Sequence, residues 1–195
     1  MSSVKRMVVA TGNAGKLREI KAIFSDYEVV GAKELGLPTD AEETGSTFRE
    51  NATIKAEALK NLVDCAVLAD DSGLLVDALD GAPGIYSARY AGENASDEDN
   101  TNKLLDAIKD IPEEKRTARF FSSICLITAE GEYLYGDGVC EGKILFAPEG
   151  DGGFGYDPVF YSLDLNESFG TLSAEQKNAV SHRKRALEDL KKKIS

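Results

Sequence analysis

Residues 7–16, MVVATGNAGK, decide the fold. Met7 to Thr11 form a continuous apolar run of the length of a buried strand, and the glycine-rich residues after them predict a tight turn. Apolar residues then recur at helical spacing at Leu17, Ile20, Ile23 and Phe24. The stretch therefore predicts a strand, a turn and an amphipathic helix, the unit from which α/β folds are built.

A second helix and strand follow the first. Thr47 lies three residues before Glu50, which is the spacing of a capping box and predicts a helix that runs to about Val63. Cys65 to Ala69 form another short apolar run, typical of a buried strand. Because a helix connects the two strands, we expect them to pair in parallel.

The remainder of the chain alternates between helices and strands. The predicted elements are a helix from about Asp97 to Lys109, a hairpin of Ala118–Thr128 and Glu132–Val139 that turns at Glu130-Gly131, a short strand at Pro158–Tyr161, and a final helix from near Ser173 to Lys191-Lys192-Lys193. This pattern predicts an α/β fold with a mixed central β-sheet flanked by helices. The length predicts a single domain over residues 1–195, which we expect to have two lobes with a substrate cleft between them.

Composition excludes several classes of protein. Hydrophobic residues make up 42% of the chain and charged residues 29%, which disfavours a disordered chain and a disulfide scaffold. No uncharged apolar run approaches the roughly 18 residues of a membrane span, and Met1 to Arg6 lack the apolar core of a signal peptide. We therefore expect a soluble, cytoplasmic protein that does not bind membranes.

Charge and the scarcity of cysteine and histidine narrow the chemistry further. The net charge of −11 repels a polyanionic backbone, so we expect no nucleic-acid partner. The three cysteines, Cys65, Cys125 and Cys140, form no CxxC pair and are expected to be buried thiols. Because His182 is the single histidine, a histidine-rich metal site is hard to assemble, which favours a hard metal held by oxygen.

The turn after the first strand is a candidate phosphate site, because a helix start presents free N–H groups to an anion. The candidate residues are Thr11, Gly12, Asn13, Ala14, Gly15 and Lys16. The spacing does not fit a Walker A loop, which needs glycine at Ala10 and Ser or Thr at Leu17, nor does it fit GxGxxG. A plain turn with a solvated lysine explains the spacing equally well.

Two aspartates follow the second predicted strand, in the stretch Asp70-Asp71-Ser72-Gly73. The carboxyl edge of a sheet is where α/β proteins usually bind ligands, and alternation points Asp70 and Asp71 to opposite faces. One of them can therefore meet a metal ion such as Mg²⁺, which prefers a few oxygen ligands. Glu42 and Glu43 are candidates for a second ligand. Turn-forming aspartates and solvated glutamates are the plain alternatives.

Lysine 55 falls inside an apolar stripe of the second helix, near Phe48, Ala52 and Leu59 on a helical wheel. Such a lysine either extends along the edge of the core into solvent or is held against a phosphate. The sequence leaves both interpretations open.

Two stretches near the end of the chain could recognise a base. Residues 154–158, FGYDP, combine aromatic rings, glycine and an acid, which suit stacking and a hydrogen bond to a base. Lys177 and residues 181–185, SHRKR, form a cationic cluster in an acidic chain. The plain explanation of the first stretch is a hydrophobic plug beneath a glycine-rich loop. The plain explanation of the second is a solvated helix face.

Taken in order, these motifs resemble the inosine triphosphatase family, also called dITP/XTP pyrophosphatases. The matching motifs are TGNAGK at 11–16, EETG at 42–45, NATIKA at 51–56, ADDSG at 69–73, GAPGIYSARYAG at 81–92, GGFGYDP at 152–158 and EQKNAVSHR at 175–183. The similarity spans about residues 7–190. Each motif alone is weak, but their shared order makes the resemblance specific.

The resemblance implies a Mg²⁺-dependent hydrolase that converts ITP, dITP and XTP to the monophosphate and pyrophosphate, cleanses the nucleotide pool and acts as a homodimer. It implies that Lys55 and Asp71 are catalytic, that Asp71 also binds metal together with Glu42 or Glu43, and that residues 11–16, Lys55 and Ser72 hold the phosphates. It implies that the base is read by Phe154, Gly155, Tyr156, Asp157, Lys177, His182 and Arg183.

Two other functions remain open at this point. A related α/β pyrophosphatase that acts on pyrimidine or modified nucleoside triphosphates would share the turn and the carboxylates but would need a different base loop. A non-catalytic nucleotide sensor would bind ITP with Mg²⁺ and release no pyrophosphate.

Overall fold

The computed structural model describes residues 4–194. Its strands are β1 (Lys5–Val9), β2 (Tyr27–Gly31), β3 (Ala66–Val76), β4 (Thr117–Ile127), β5 (Tyr133–Ile144), β6 (Phe160–Ser162) and β7 (Glu167–Ser168). Its α-helices are α1 (Ala14–Ile23), α2 (Phe48–Lys60), α3 (Asp97–Ala107), α4 (Ala174–Val180) and α5 (His182–Lys191). Short 3-10 helices lie at Ala32–Leu35, Asp77–Leu79, Gly84–Arg89, Glu113–Lys115 and Asp157–Val159. Residues 1–3 and 195, at the ends of the predicted domain, lie outside this description.

The strands form a seven-stranded sheet in the order β2-β1-β3-β4-β5-β6-β7. β1 pairs in parallel with β2, and its residues 7–9 pair in parallel with residues 66–68 of β3. β6 pairs antiparallel with β5 and with β7. The sheet is therefore mixed, which confirms the predicted α/β class and the predicted parallel pairing.

The described residues fall into two compact units. The first unit holds residues 4–71, 122–138 and 183–194, and the second holds residues 72–121 and 139–182. The predicted cleft between two lobes stays a prediction.

The strands of the first unit bury an apolar cluster on each face. Val9 and Leu68 lie in a cluster with residues of α1 and α5, whereas Val8 and Val67 lie in a cluster with residues of α2. Because side chains alternate along a strand, β1 and β3 each supply both clusters. The second unit has its own core, to which β3 contributes Leu74.

Helix α2 begins where the capping pattern predicts. The Thr47 hydroxyl accepts the N–H of Glu50 at 3.1 Å. The reciprocal bond of the predicted capping box is different, because the Glu50 carboxylate accepts from the N–H and the hydroxyl of Ser46, at 2.6 and 2.8 Å. The helix ends at Lys60, three residues before the predicted end. The carboxylate of Glu50 therefore bonds to the loop before the helix.

Several predicted boundaries in the sheet and near the end of the chain are wrong. β3 does not end at Ala69 but continues to Val76, because Leu74 and Val76 bury their side chains in the core of the second unit. The predicted final helix is interrupted at Ser181, whose extended backbone, with φ −64° and ψ 148°, separates α4 from α5. The short strand predicted at Pro158–Tyr161 is observed as β6, which begins two residues later and ends one residue later.

Other predictions are confirmed or refined. The hairpin turns as predicted, with Gly131 at φ 92°, a conformation that favours glycine, and the N–H of Thr128 bonds to the carbonyl of Glu132 at 2.8 Å. All three cysteines are free, and Cys65 is only half-buried. Among the described residues, no helix has both the length and the apolar character that crossing a membrane requires.

Candidate active site

The neighbouring aspartates of β3 lie on opposite faces of the strand. Asp70 continues the alternation of Ala66 and Leu68 toward α1 and α5, and Asp71 continues that of Val67 and Ala69 toward α2. The predicted opposition is therefore present. The aspartates lie within β3 and not beyond its end, although the pairing with β1 stops at Leu68. They are buried, with 3% and 6% of their surface exposed.

Asp70 holds two cations. Lys16 at the start of α1 places its Nζ 3.3 Å from Oδ2 of Asp70, and Arg183 at the start of α5 places its Nε 3.3 Å from the same oxygen. The Arg183 side chain is 2% exposed, and its Nη1 also donates to Glu19 Oε2 at 3.1 Å. A buried guanidinium with two carboxylate partners is strongly fixed in position.

Asp71 contacts the third cation. The Nζ of Lys55 lies 3.3 Å from Asp71 Oδ1 and 3.3 Å from Glu43 Oε1. The lysine therefore does not extend into solvent, because its side chain is 13% exposed and its ammonium lies between two carboxylates. Of the two candidate glutamates, Glu43 reaches this cluster, whereas Glu42 is exposed.

The pKa values show that these groups share one electrostatic environment. Burial raises the pKa of Asp71 to about 6, Lys55 opposes this rise, and the charges of Glu43 and Asp70 add to it. Burial lowers the pKa of Lys16, which the charge of Asp70 opposes and the charges of Arg183 and Lys55 reinforce. Burial disfavours the charged form of Lys55, but Asp70, Asp71 and Glu43 raise its pKa overall. Lys16, Lys55 and Asp71 thus converge within the first unit.

The raised pKa of Asp71 predicts a pH-dependent stability of the metal-free protein. Because the pKa lies near 6 in the fold and near 3.8 in the unfolded chain, the stability that Asp71 contributes is full below about pH 3.8 and is lost as pH rises through about 6. Wild type should therefore lose about 2 kcal/mol relative to Asp71→Asn between about pH 4.5 and 7.5. Urea unfolding with a chelator measures this difference, and a gap that does not change with pH would contradict the raised pKa.

The glycine turn is tied to its own helix cap. The side-chain oxygen of Asn13 accepts the N–H groups of Gly15 and Lys16, at 2.9 and 3.1 Å, and the Thr11 hydroxyl accepts the N–H of Asn13 at 3.1 Å. The expectation that these N–H groups are free for an anion is thus wrong for two of them, because Asn13 caps α1. The role of residues 11–15 in binding phosphate stays a prediction.

The carboxylates beside Lys55 suit a hard divalent cation. Oδ2 of Asp71 is buried and has no hydrogen-bond partner among the described residues, although a buried carboxylate oxygen normally has one. Carboxylate oxygens are the ligands that Mg²⁺ prefers, and Mg²⁺ usually keeps several waters. No group of three or more acidic, cysteine or histidine side chains able to hold a metal occurs in residues 4–194, so Asp71 and Glu43 would have to share the ligation with oxygens of a substrate or water.

The loop before β6 forms a second group of functional residues, in the second unit. Lys177 pairs with Oδ2 of Asp157 at 2.5 Å, and the same oxygen accepts the N–H of Phe154 at 2.9 Å. The Nζ of Lys177 also lies 4.2 Å from the centre of the Phe154 ring, which is 41% exposed. Gly153, with φ 73°, approaches Asp157 so closely that a Cβ would clash with its carboxylate. An exposed ring beside a fixed ion pair can stack on a planar ligand.

The other residues predicted to read a base have separate surroundings. The hydroxyl of Tyr156 donates to the carbonyl of Ser87 at 2.6 Å, and its ring lies in the core. His182 stacks on Phe120, with ring centres 5.0 Å apart. Gly155 donates its N–H to Asp97 at 2.9 Å. The contact of Tyr156 also gives a structural role to the sequence GAPGIYSARYAG, which contains Ser87.

The terminal cations are divided between the two compact units. Lys177 and His182 belong to the second unit, whereas Arg183 belongs to the first and binds Asp70 and Glu19. The sequence analysis does not select Glu19, and it names Asp70 only as one of two carboxylates that could meet a metal ion. A signal for Glu19 exists, because it lies three residues after Lys16 and shares a helix face with it. Ser72, the predicted phosphate contact, follows Asp71 in β3 and is half-buried.

Comparison with known proteins agrees with this architecture. The dITP/XTP pyrophosphatase of Halalkalibacterium halodurans is 49% identical over 191 residues, which cover 97% of this chain and 98% of that protein. The Ham1 protein of Staphylococcus aureus is 47% identical and superposes with a TM-score of 0.86 over 94% of this chain and 95% of its own. A HAM1 protein from Coxiella burnetii is 41% identical, with a TM-score of 0.88 over 97% of this chain and 98% of its own.

These similarities confirm the resemblance noted from the motifs, and they cover the carboxylates, the lysines and the loop before β6. The sequence profile of the Ham1 family matches residues 7–193. The chain therefore belongs to the Ham1 family.

Proposed function

We propose that this chain hydrolyses the non-canonical purine nucleoside triphosphates ITP, dITP and XTP to the monophosphate and pyrophosphate. The observation that carries the proposal is the position of Lys55 between Asp71 and Glu43. Lys16 lies close enough that the charge of Lys55 adds to the effect of burial, which lowers the pKa of Lys16. Cations of this kind beside a carboxylate pair suit a triphosphate bound with a divalent metal. The name of the relative from H. halodurans, dITP/XTP pyrophosphatase, supports the substrate class.

We assign the reaction a divalent cation, and Mg²⁺ in particular. Asp71 and Glu43 would hold it, since one oxygen of Asp71 is buried without a partner and both groups are hard oxygen donors. When bound, the ion neutralises charge on the phosphate oxygens.

The chain's own residues supply the remaining chemistry. Asp71 acts as general base and takes a proton from the water that attacks the α-phosphorus. A bond from the water oxygen to the α-phosphorus forms, the bond from that phosphorus to the α–β bridging oxygen breaks, and pyrophosphate leaves with the bonding electrons. Lys16 and Lys55 stabilise the negative charge that develops on the leaving group. In the metal-free protein, burial raises the pKa of Asp71 to about 6, so its carboxylate is deprotonated at neutral pH and can accept a proton.

Recognition of the base is assigned to Phe154, Asp157, Lys177 and His182. Phe154 would stack on the purine. Groups that donate a hydrogen bond to the six-position carbonyl would face the amino group of adenine, which is also a donor, if adenine entered. A site built to hydrogen-bond a group can reject the analogue that lacks it by on the order of 10⁴-fold. The predicted contact of Arg183 with the base stays a prediction, as do the homodimer, the absence of a nucleic-acid partner and the cytoplasmic location.

A pyrophosphate-release panel tests the proposal. With Mg²⁺, we expect ITP, dITP and XTP to be used at least about 100-fold better than ATP or dTTP. They should also be used better than GTP, which shares the six-position carbonyl and differs at its two-amino group. Turnover should fall to background when a chelator removes the metal. Preference for dTTP would support the pyrimidine or modified-nucleotide alternative. Binding of ITP without release of pyrophosphate would support the sensor.

A further inference from the structure

Asn51 in the first turn of α2 is buried yet only half satisfied. Its side chain has 0% of its surface exposed, its Oδ1 accepts the N–H of Gly45 at 2.8 Å, and its Nδ2 has no hydrogen-bond partner among the described residues. A buried polar group left without a partner disfavours folding. Stability alone therefore does not favour an asparagine at this position.

The bond from Asn51 fixes the backbone of the loop that carries Glu43. A Cβ on Gly45 would lie 2.7 Å from Oδ1 of Asn51 and 3.0 Å from its backbone nitrogen, so the loop lies directly against the helix. Glu50, the preceding residue, accepts two hydrogen bonds from Ser46. Adjacent side chains of α2 thus hold two consecutive loop residues.

The same helix carries the lysine that Glu43 contacts. Lys55 follows Asn51 by four residues, one turn along the same helix face, and its Nζ lies between Glu43 and Asp71. Glu43 precedes Gly45 by two residues, so a shift of Gly45 away from α2 changes the separation of Glu43 from Asp71. The hydrogen bond between Gly45 and Asn51 is therefore connected through α2 to the carboxylates of Glu43 and Asp71.

We propose that Asn51 is a positioning residue, which fixes Glu43 at the distance from Asp71 that a bound divalent cation requires. The inference rests on the proposed function, because it concerns the metal of that reaction. Groups that orient a metal ligand without touching the metal typically change metal affinity 10- to 100-fold when removed. Asn51 would act in this way through the backbone of Gly45.

The test compares Asn51→Leu, Glu43→Gln and the double variant, with Asn61→Leu at the exposed end of α2 as matched control. Mn²⁺ alone is the probe, and its dissociation constant for the nucleotide-free protein is read from the electron paramagnetic resonance signal of free Mn²⁺. We expect Asn51→Leu to raise this constant about tenfold and to add nothing in the Glu43→Gln background, because both changes act on one ligand. Asn61→Leu should leave it unchanged.

Amide hydrogen exchange provides a readout that does not depend on metal. Asn51→Leu should speed exchange at Gly45 about two- to tenfold, as expected for the loss of one hydrogen bond, whereas Glu43→Gln should not. Asn51→Ala removes the same groups without filling the space, so it separates loss of the bond from a packing defect and replaces the leucine variant if that one does not fold. In steady-state kinetics with ITP, the KM for Mg²⁺ should rise more than kcat falls.

Two results would overturn the role of Asn51. One is a full additional loss of Mn²⁺ affinity when Asn51→Leu is added to Glu43→Gln, and the other is faster exchange at Gly45 with unchanged Mn²⁺ affinity. Failure of the proposed function has a different signature, since wild type would then release no pyrophosphate from any triphosphate. An active wild type whose Mn²⁺ affinity is insensitive to Asn51 contradicts only the positioning role.

Discussion

Asp71→Asn should reduce pyrophosphate release from ITP by about 10²–10⁴-fold, the range that a general base contributes. The asparagine keeps the shape of the side chain and an oxygen for Lys55, which contacts Oδ1 of Asp71 at 3.3 Å. It removes the charge, and with it both the proton acceptor and a metal ligand. Single-turnover assays with saturating ITP and Mg²⁺ measure the loss in the chemical step.

The control for this variant is Asp64→Asn, an exposed aspartate that lies outside the site and shortly before β3. It should retain wild-type turnover. Urea unfolding should show that Asp71→Asn is folded and, above about pH 6, at least as stable as wild type, because the buried charge is gone. Turnover within a few-fold of wild type in a folded Asp71→Asn protein would remove Asp71 as the base.

Lys55→Met should lower kcat/KM for ITP by about 10²–10³-fold, as expected for the removal of one group that stabilises charge in the transition state. Methionine fills a similar space within the apolar stripe of α2 but cannot contact phosphate. The loss in the free energy of unfolding should be smaller than the loss of transition-state stabilisation, because Asp71 can take up a proton once the neighbouring ammonium is absent. Steady-state kinetics and urea unfolding on the same preparation compare the two effects.

Lys60→Met, in the last turn of the same helix, is the matched control. Its Nζ contacts only backbone carbonyls, at Val63 and Asp64, among the contacts described for it, so activity should stay at the wild-type level. If Lys55→Met unfolds at much lower urea while the folded fraction keeps normal kcat/KM, the lysine has a structural role and not a catalytic one.

The sequence was sufficient to predict the central geometry of the site because strand and helix periods are strict. Alternation along the predicted strand at Cys65–Ala69, which is part of β3, points Asp70 and Asp71 to opposite faces, as observed. The helical wheel places Lys55 in the buried stripe of α2. The wheel could not tell whether that lysine reaches solvent or a ligand group. The structure shows carboxylates on both sides of it, and one of them, Glu43, comes from a loop whose path no periodicity describes.

The true end of β3 and the contacts of Arg183 depend on long-range packing, which local sequence patterns do not describe. The polar residues at 70–73 are typical of the end of a strand, but Leu74 and Val76 continue the alternation into a second core. This long-range burial outweighs the local turn signal. The cationic cluster at the end of the sequence contains Arg183 together with Lys177 because the two are close along the chain. Ser181 breaks the helix between them, and Arg183 pairs with Asp70, 113 residues earlier, a contact that sequence spacing cannot reveal.

Because Asp70 and Asp71 lie on opposite faces of β3, insertions and deletions within this strand disturb the site. Adding or deleting one codon between residues 66 and 70 would rotate both carboxylates to the wrong side, since a one-residue slip reverses every side chain that follows. Asp70 would then face α2 and Asp71 would face α1 and α5, so each would lose the cations that it contacts in the structure. Engineering that grafts, tags or permutes this protein should therefore leave that segment intact and use the exposed hairpin at Glu130-Gly131, where an added residue shifts only the turn.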